Sequence, residues 1–362
     1  MSERVLNFSS GPSMLPEPVL ERAGAEITSL GGLGAGVMEI SHRSRQFAAV
    51  LEKAERGIRE LMRLPDDLRV LFLSGGATLQ FTMVPMNLLS ADSSADYLVT
   101  GAWGKKAVEE ARPFGRINVV FDSSASGFRS VPQQDEVALT SGAAYVHYTS
   151  NETIDGVEFP YDLDAHGVPV VCDASSNILS KPIDITKYDL IYAGAQKNIG
   201  PSGVTVVIIR EGLFARIPRG LPSLMDYRTF ADSGSMPNTP NTWGVYMIGL
   251  VCDWLKEQGG VEAMAERNRE KATLIYDTLD SSDGFYSGHA ERVSRSLMNV
   301  TFRLQDETLE EKFCSEAESA GMIGLRGHRT VGGVRASIYN AMPLAGVERL
   351  VGFMKDFASR NG

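Results

Sequence analysis

The sequence is poor in cysteine and short of positive charge. Its three cysteines, Cys172, Cys252 and Cys314, are sparse and odd in number, which argues against a disulfide scaffold and fits a reducing compartment. Lys and Arg total 35 against 45 Asp and Glu, for a net charge of -10. That balance argues against nucleic acid or an anionic membrane as partner, so any acidic ligand has to be held by local Arg and His. No run of about 18 apolar residues occurs, so no membrane span is expected. The opening "MSERVLNFSSGPSMLP" has no apolar h-region. No signal peptide is therefore expected, and a cytoplasmic location is. There is no fixed-period repeat and no low-complexity tract. Neither G-x-S-x-G nor H-E-x-x-H occurs, so serine-hydrolase and zincin readings find no motif and no metal is expected.

What is present is enough apolar residue for a large core. Hydrophobic residues make up 43% of the 362 positions and charged residues 22%, a globular composition with length for about two domains. Helical spacing predicts helices over 16–30 and 44–63, the latter carrying Phe47, Val50, Leu51, Ala54, Ile58, Leu61 and Met62. Short apolar runs follow: "RVLFL" (69–73), "DYLVT" (96–100), "INVVF" (117–121), "AYVHYT" (144–149), "VPVVCD" (168–173), "DLIYAG" (189–194) and "VTVVII" (204–209). Several are apolar throughout, as expected of strands covered on both faces. Helical stretches at 78–90 and 103–112 alternate with them, which predicts an α/β fold: a mostly parallel sheet with helices on both faces. Beyond residue 241 come a helix closed by Gly259-Gly260, a long helix over 261–279, "SLMNVTFRL" (296–304), a helix over 308–320, "GGVRASIY" (332–339) and a last helix over about 343–359. This predicts a smaller α+β unit. The expected division is 16–260 for the large domain, with 1–15 and 261–362 forming the small one.

Open α/β sheets bind ligands at the carboxyl ends of their strands. Four groups stand there. "SGGATLQ" (74–80) follows "RVLFL" and opens a helix; it reads as a phosphate cup or as a tight strand–helix turn. Asp173 ends an apolar strand, as a functional acid or as a helix cap. Thr153 follows the strand ending "YVHYT". Lys197 sits in "YAGAQKNIGPSG", after a buried-looking strand where lysine is unusual. A lysine, an acid 24 residues earlier and a glycine-rich helix start are together the parts that hold pyridoxal 5'-phosphate. The amine forms a Schiff base with the cofactor carbonyl, the carboxylate keeps the pyridine nitrogen protonated, and the turn holds the phosphate. Trp103, at another strand–helix turn, stacks on the ring or belongs to the core. Two His-Arg pairs, His42-Arg43 and His328-Arg329, lie outside periodic helices and read either as substrate-anion contacts or as surface salt-bridge partners.

The stretches "NFSSGPSMLP", "ISHRS", "SGGATLQFTMVPMNLL", "TSNETIDGVEF", "CDASSNILS", "YAGAQKNIGPSGVTVVII", "GSMPNTPNTW" and "GHRTVGGVRASIYNAMP" carry a resemblance. From about residue 5 to the C-terminus the chain resembles the phosphoserine aminotransferases, a class V aminotransferase family of the fold type I pyridoxal-phosphate group. The resemblance implies that Lys197 carries the cofactor, Asp173 pairs with its ring nitrogen, Trp103 stacks and Thr153 meets the ring hydroxyl. It implies a phosphate site at Gly76, Ala77, Thr78 and Gln196, completed by Asn238 and Thr239 across a homodimer. Substrate anions would meet Ser10, His42, Arg43, His328, Arg329 and Arg335. Many members carry Arg after "GGA", where this chain has Thr78, so one anionic contact is absent here.

The implied reaction is a ping-pong transamination between glutamate and 3-phosphohydroxypyruvate, yielding phosphoserine for serine biosynthesis. Relatives often also serve pyridoxine synthesis with a phosphorylated hydroxythreonine. The alternative within the class is an alanine- or serine-glyoxylate aminotransferase. A nicotinamide dehydrogenase reading of "GGLGAG" (31–36) lacks a preceding strand. A cysteine desulfurase needs a cysteine on a mobile loop, whereas the three here fall in expected strands and helices. A pyridoxal-dependent regulator would add a DNA-binding segment, for which there is no basic stretch and no spare length.

Overall fold

The computed structural model describes residues 4–329 and 331–362. Residues 1–3 of the expected small domain lie outside the described residues. The strands run β1 (Leu6–Asn7), β2 (Leu68–Leu73), β3 (Ser94–Val99), β4 (Arg116–Asp122), β5 (Val146–Thr149), β6 (Asn151–Glu152), β7 (Val157–Glu158), β8 (Val170–Asp173), β9 (Leu190–Gly194), β10 (Thr205–Arg210), β11 (Ser287–Gly288), β12 (Asn299–Arg303), β13 (Met322–Ile323) and β14 (Val334–Ser337). The α-helices are α1 (Glu17–Ala25), α2 (Arg45–Met62), α3 (Gly76–Leu88), α4 (Ala102–Ala111), α5 (Tyr227–Asp232), α6 (Thr242–Glu257), α7 (Gly260–Asp280), α8 (Glu307–Ser319) and α9 (Leu344–Asn361).

The central sheet has seven strands in the order β2-β10-β9-β8-β5-β3-β4. The neighbours from β9 to β4 pair in parallel, while β10 runs antiparallel to both β9 and β2. Alternate residues feed two cores. Val70, Phe72, Val146, Cys172, Ile191, Val206 and Ile208 face α2 and α6. Leu71, Leu73, Tyr97, Val171, Tyr192, Val207 and Ile209 face α3 and α4. Burial on both faces explains why the runs carry no polar alternation. β4 departs from that rule: it is one of the two edge strands, and unlike the other edge, β2, its residues are partly or fully exposed.

Helix α2 begins where Ser44 accepts a hydrogen bond from Phe47 N and ends at Arg63 in the left-handed region. The first helix stops at Ala25, five residues short of the expected end, and a single 3-10 turn covers Leu30–Gly32. Gly31 and Gly32 adopt positive φ there, which a continuing helix does not accept. The "GGLGAG" stretch thus follows a helix and opens none.

A third core gathers Phe8 with residues from Ala272 to Phe357, under α7, α8 and α9 and against the antiparallel sheet β11-β12-β14. The N-terminal β1 joins it by pairing in parallel with β13. A short hairpin connects this part to the large sheet. The β6–β7 hairpin leans on it through Asn151 Nδ2, which donates to Asn299 Oδ1 at 2.8 Å. Lys271 on α7 is buried and donates to the carbonyls of Ile338, Tyr339 and Met342, which fixes the turn leaving β14.

Candidate active site

Strands β2, β3, β8 and β9 each deliver a group to one cavity of about 360 Å³ at their carboxyl ends. After β2 the chain turns through Gly75, at φ +96°, into the first turn of α3. The first-turn amides of a helix have no partner within it, and here Gly76, Ala77 and Thr78 line the cavity. After β3 comes Gly101 and then Trp103, on the first turn of α4. Asp173 is the last residue of β8, and Lys197 lies three residues past β9. Ser10, Thr153, Gln196, His328 and Arg335 complete the wall, with Arg335 supplied by β14.

Lys197 Nζ donates to Thr153 Oγ1 at 2.6 Å and lies 5.4 Å from the centre of the Trp103 ring. Burial lowers its affinity for a proton, Asp173 and Glu152 work against that, and Arg335 adds to it. The Asp173 carboxyl is pushed upward by burial, and the charge of Lys197 and the bond from Ser175 N, at 2.9 Å, oppose the rise. Arg335 Nη2 donates to Ser10 Oγ at 2.8 Å, while its buried Nε has no hydrogen-bond partner. Trp103 Nε1 is likewise buried and without a partner.

These features fit a phosphorylated pyridine aldehyde. There is a buried amine for the carbonyl, a buried acid for a ring nitrogen, helix amides for a phosphate and two unpartnered donors beside the space. Eleven of the residues singled out by sequence meet here: Ser10, Gly76, Ala77, Thr78, Trp103, Thr153, Asp173, Gln196, Lys197, His328 and Arg335. His42, Arg43 and Arg329 do not line the cavity; Arg43 and Arg329 are exposed. Asn238 and Thr239 are exposed too, and Asn238 lines a separate cavity of about 220 Å³ beside Gly75. Cys172, Cys252 and Cys314 are free and buried, on β8, α6 and α8, so none of them is a loop nucleophile.

Sequence reading passed over Glu152 and Asp155. Their carboxylates accept the first amides of α4, from Trp103 N at 3.0 Å, Gly104 N at 2.7 Å and Ala102 N at 3.1 Å. Two acids in "TSNETIDG" with no nearby cation left a trace, but nothing in the stretch points to the α4 amides, whose turn opens on Gly101 far upstream.

The class V aminotransferase family model matches residues 5–350. A curated phosphoserine aminotransferase of Laribacter hongkongensis is 53% identical over 99% of this chain and 99% of its own. The chain belongs to the phosphoserine aminotransferase family. Among solved structures, the family member from Bacillus circulans subsp. alkalophilus superimposes with a TM-score of 0.98 at 47% identity, covering 100% of both chains. The PLP-bound member from Trichomonas vaginalis gives 0.92 at 37% identity, over 97% of this chain and 100% of its own. Family membership makes the chain a PLP-dependent aminotransferase of fold type I, with amino and keto acids as substrates. Among the described residues no helix is long and apolar enough to cross a membrane.

Proposed function

We propose that this chain moves the amino group of glutamate to 3-phosphohydroxypyruvate, giving 2-oxoglutarate and phosphoserine, with pyridoxal 5'-phosphate held at Lys197. The observation that carries the reading is a single cavity in which Lys197, Asp173 and the first turn of α3 converge. Two donors and two acceptors of the group fit the two half-reactions of a ping-pong cycle.

Bound there, pyridoxal phosphate supplies a carbonyl for an amine and an electron sink for the charge that develops at the substrate Cα. The chain supplies the rest. Lys197 Nζ would take the Cα proton and return it to the carbon on the other side of the substrate nitrogen, which requires the neutral amine that burial favours. Thr153 Oγ1 orients that amine. Asp173, fixed by Ser175 N, places negative charge where a ring nitrogen would hold its proton. The amides of Gly76, Ala77 and Thr78, with Gln196, would take the phosphate. Trp103 lines one wall and would keep water from the face of a bound ring. Arg335, with Ser10 beside it and Nε still unpaired, suits an α-carboxylate. His328 suits the distal anion, whereas His42, Arg43 and Arg329 lie outside this chain's own cavity.

We assign Asn238 and Thr239 to the phosphate site of a second copy of the chain, so the working form is a homodimer with shared sites. Their exposure in the single chain and their absence from the lining of its own Lys197 cavity support this. We read residues 16–260 as the cofactor domain and 1–15 with 261–362 as the small domain; the separate core around Phe8 and 272–357 supports that division. A cytoplasmic location agrees with three unpaired buried thiols.

The test is a coupled assay for glutamate formed from phosphoserine and 2-oxoglutarate, run beside alanine–glyoxylate and cysteine controls. Rapid glutamate formation that needs phosphoserine is the expected result. Turnover with alanine and glyoxylate alone would overturn the assignment.

A further inference from the structure

The β6–β7 hairpin touches both walls of the cavity. Its turn, residues 153–156, presents Thr153 to Lys197, and the two acids flanking Thr153 and Ile154 grip the opposite wall. Glu152 is fully buried, and its two oxygens accept Trp103 N and Gly104 N. Asp155 Oδ2 accepts Ala102 N. Three of the four otherwise orphaned amides of α4 are thus held by side chains of a different element. Gly101 makes this possible, because a Cβ there would overlap Glu152 and stand 2.6 Å from Asp155 Oδ2. The hairpin is itself braced: Thr301 Oγ1 donates to Ile154 O at 3.2 Å, and Ser296 N donates to Gly156 O at 3.1 Å.

We infer that Glu152 and Asp155 are positioning residues: by capping α4 from the hairpin they hold the Trp103 indole in register with Lys197, and so set how firmly the cofactor is bound. The inference rests on the cofactor reading above. A helix whose first turn is free to fray would let the indole swing off the cavity, whereas two carboxyl groups accepting its first amides fix it. Burial of Glu152 in this role is costly for its charge, and a purely structural cap would be served by Ser or Thr at position 101 at lower cost. The arrangement is explained by what the hairpin carries between its acids: the same turn that caps α4 also holds Lys197.

The test is a mutant cycle on the full chain, stripped of cofactor and titrated with pyridoxal 5'-phosphate. The readouts are the dissociation constant and the visible circular dichroism of the bound ring. Glu152→Ala should weaken binding about tenfold and reduce the visible signal, since buried amides lose their acceptor. Glu152→Gln keeps one of the two acceptor oxygens and sets an amide N–H₂ against the other α4 amide, so it should recover only part of that loss. On a Trp103→Ala background, Glu152→Ala should add no further loss, because the two act through one element. Asp155→Ala carries the same cycle should Glu152→Ala not fold. An Ala variant that binds the cofactor as wild type does, or full additivity with Trp103→Ala, overturns the inference while leaving the cofactor reading intact. A wild-type chain that takes up no cofactor overturns both.

Discussion

Lys197 Nζ and Thr153 Oγ1 lie 2.6 Å apart, across 44 residues of sequence. A hydroxyl is a partner the amine can use in either charge state, which suits a group that must give up and regain a proton. Replacing Lys197 by Ala should leave the folded chain unable to link pyridoxal phosphate. Borohydride reduction followed by mass spectrometry should find no modified peptide, and transamination should fall by about 10³-fold or more. A cofactor still trapped on the variant would reassign the amine.

Asp173 sits on β8 with its carboxylate held by Ser175 N. Asp173→Asn keeps the shape and removes the charge. Cofactor affinity should fall by about tenfold, the scale of a charge-assisted bond made neutral. Exchange of the glutamate Cα proton for deuterium should slow with it. An unchanged exchange rate would remove Asp173 from the ring-nitrogen role.

Arg335 separates substrate binding from cofactor binding. It meets Ser10 and the Thr153 carbonyl and leaves Nε unpaired. Arg335→Ala should raise KM for glutamate and for phosphoserine by roughly 10- to 100-fold, as for the loss of charged hydrogen bonds. Visible absorbance of bound cofactor should not change. Loss of colour in this variant would place Arg335 in the cofactor site instead.

The sequence made the strands legible because most are buried on both faces, so each reads as a short apolar block between glycines and polar residues. The position of β10 was not legible: a strand antiparallel to both neighbours looks no different, residue by residue, from a parallel one. Nor could local pattern show that β1, only two residues long, pairs with β13 more than 300 positions later. At the site, Lys197, Asp173, Trp103 and the α3 turn stand at strand ends and follow from a rule about sheets. Arg335 lies within a strand, and family resemblance rather than spacing pointed to it. Glu152 and Asp155 escaped because their partners are backbone amides of another element, which no side-chain motif encodes.

Helices α2 and α6 approach closely at Gly57, where an added Cβ would stand 2.6 Å from Cys252 Cβ. The residue is helical, so its value lies in the space it leaves and not in backbone freedom. Gly57→Ala should therefore destabilise the fold by roughly 1–3 kcal/mol through overpacking, although Ala is the better helix former. Urea denaturation should show a lower midpoint with a similar slope. An equal or higher midpoint would show that the two helices spread without cost.

His147, on β5, predicts how the fold responds to acid. The imidazole is buried between Tyr97, at 4.9 Å between ring centres, and Tyr192, whose hydroxyl lies 2.7 Å from Nε2; Nδ1 has no partner. Burial pushes its pKa down to about 3. Below about pH 6.5 the unfolded chain takes up a proton that the folded chain refuses, so this residue removes stability as pH falls from 6.5 towards 3. At about 1.4 kcal/mol per pH unit, the loss reaches roughly 3 kcal/mol near pH 4. Glu152 and Asp155 act in the opposite sense. Burial raises them to about 8 and about 6, so each favours the folded state at low pH and loses that contribution as pH rises through those values. The histidine is therefore visible only by difference. His147→Gln, neutral at every pH, should abolish its share of the slope, so the stability gap between variant and wild type should shift in the variant's favour by roughly 3 kcal/mol between pH 7 and pH 4. Parallel stability curves for the two chains would mean that the folded protein protonates His147 as readily as the unfolded chain does.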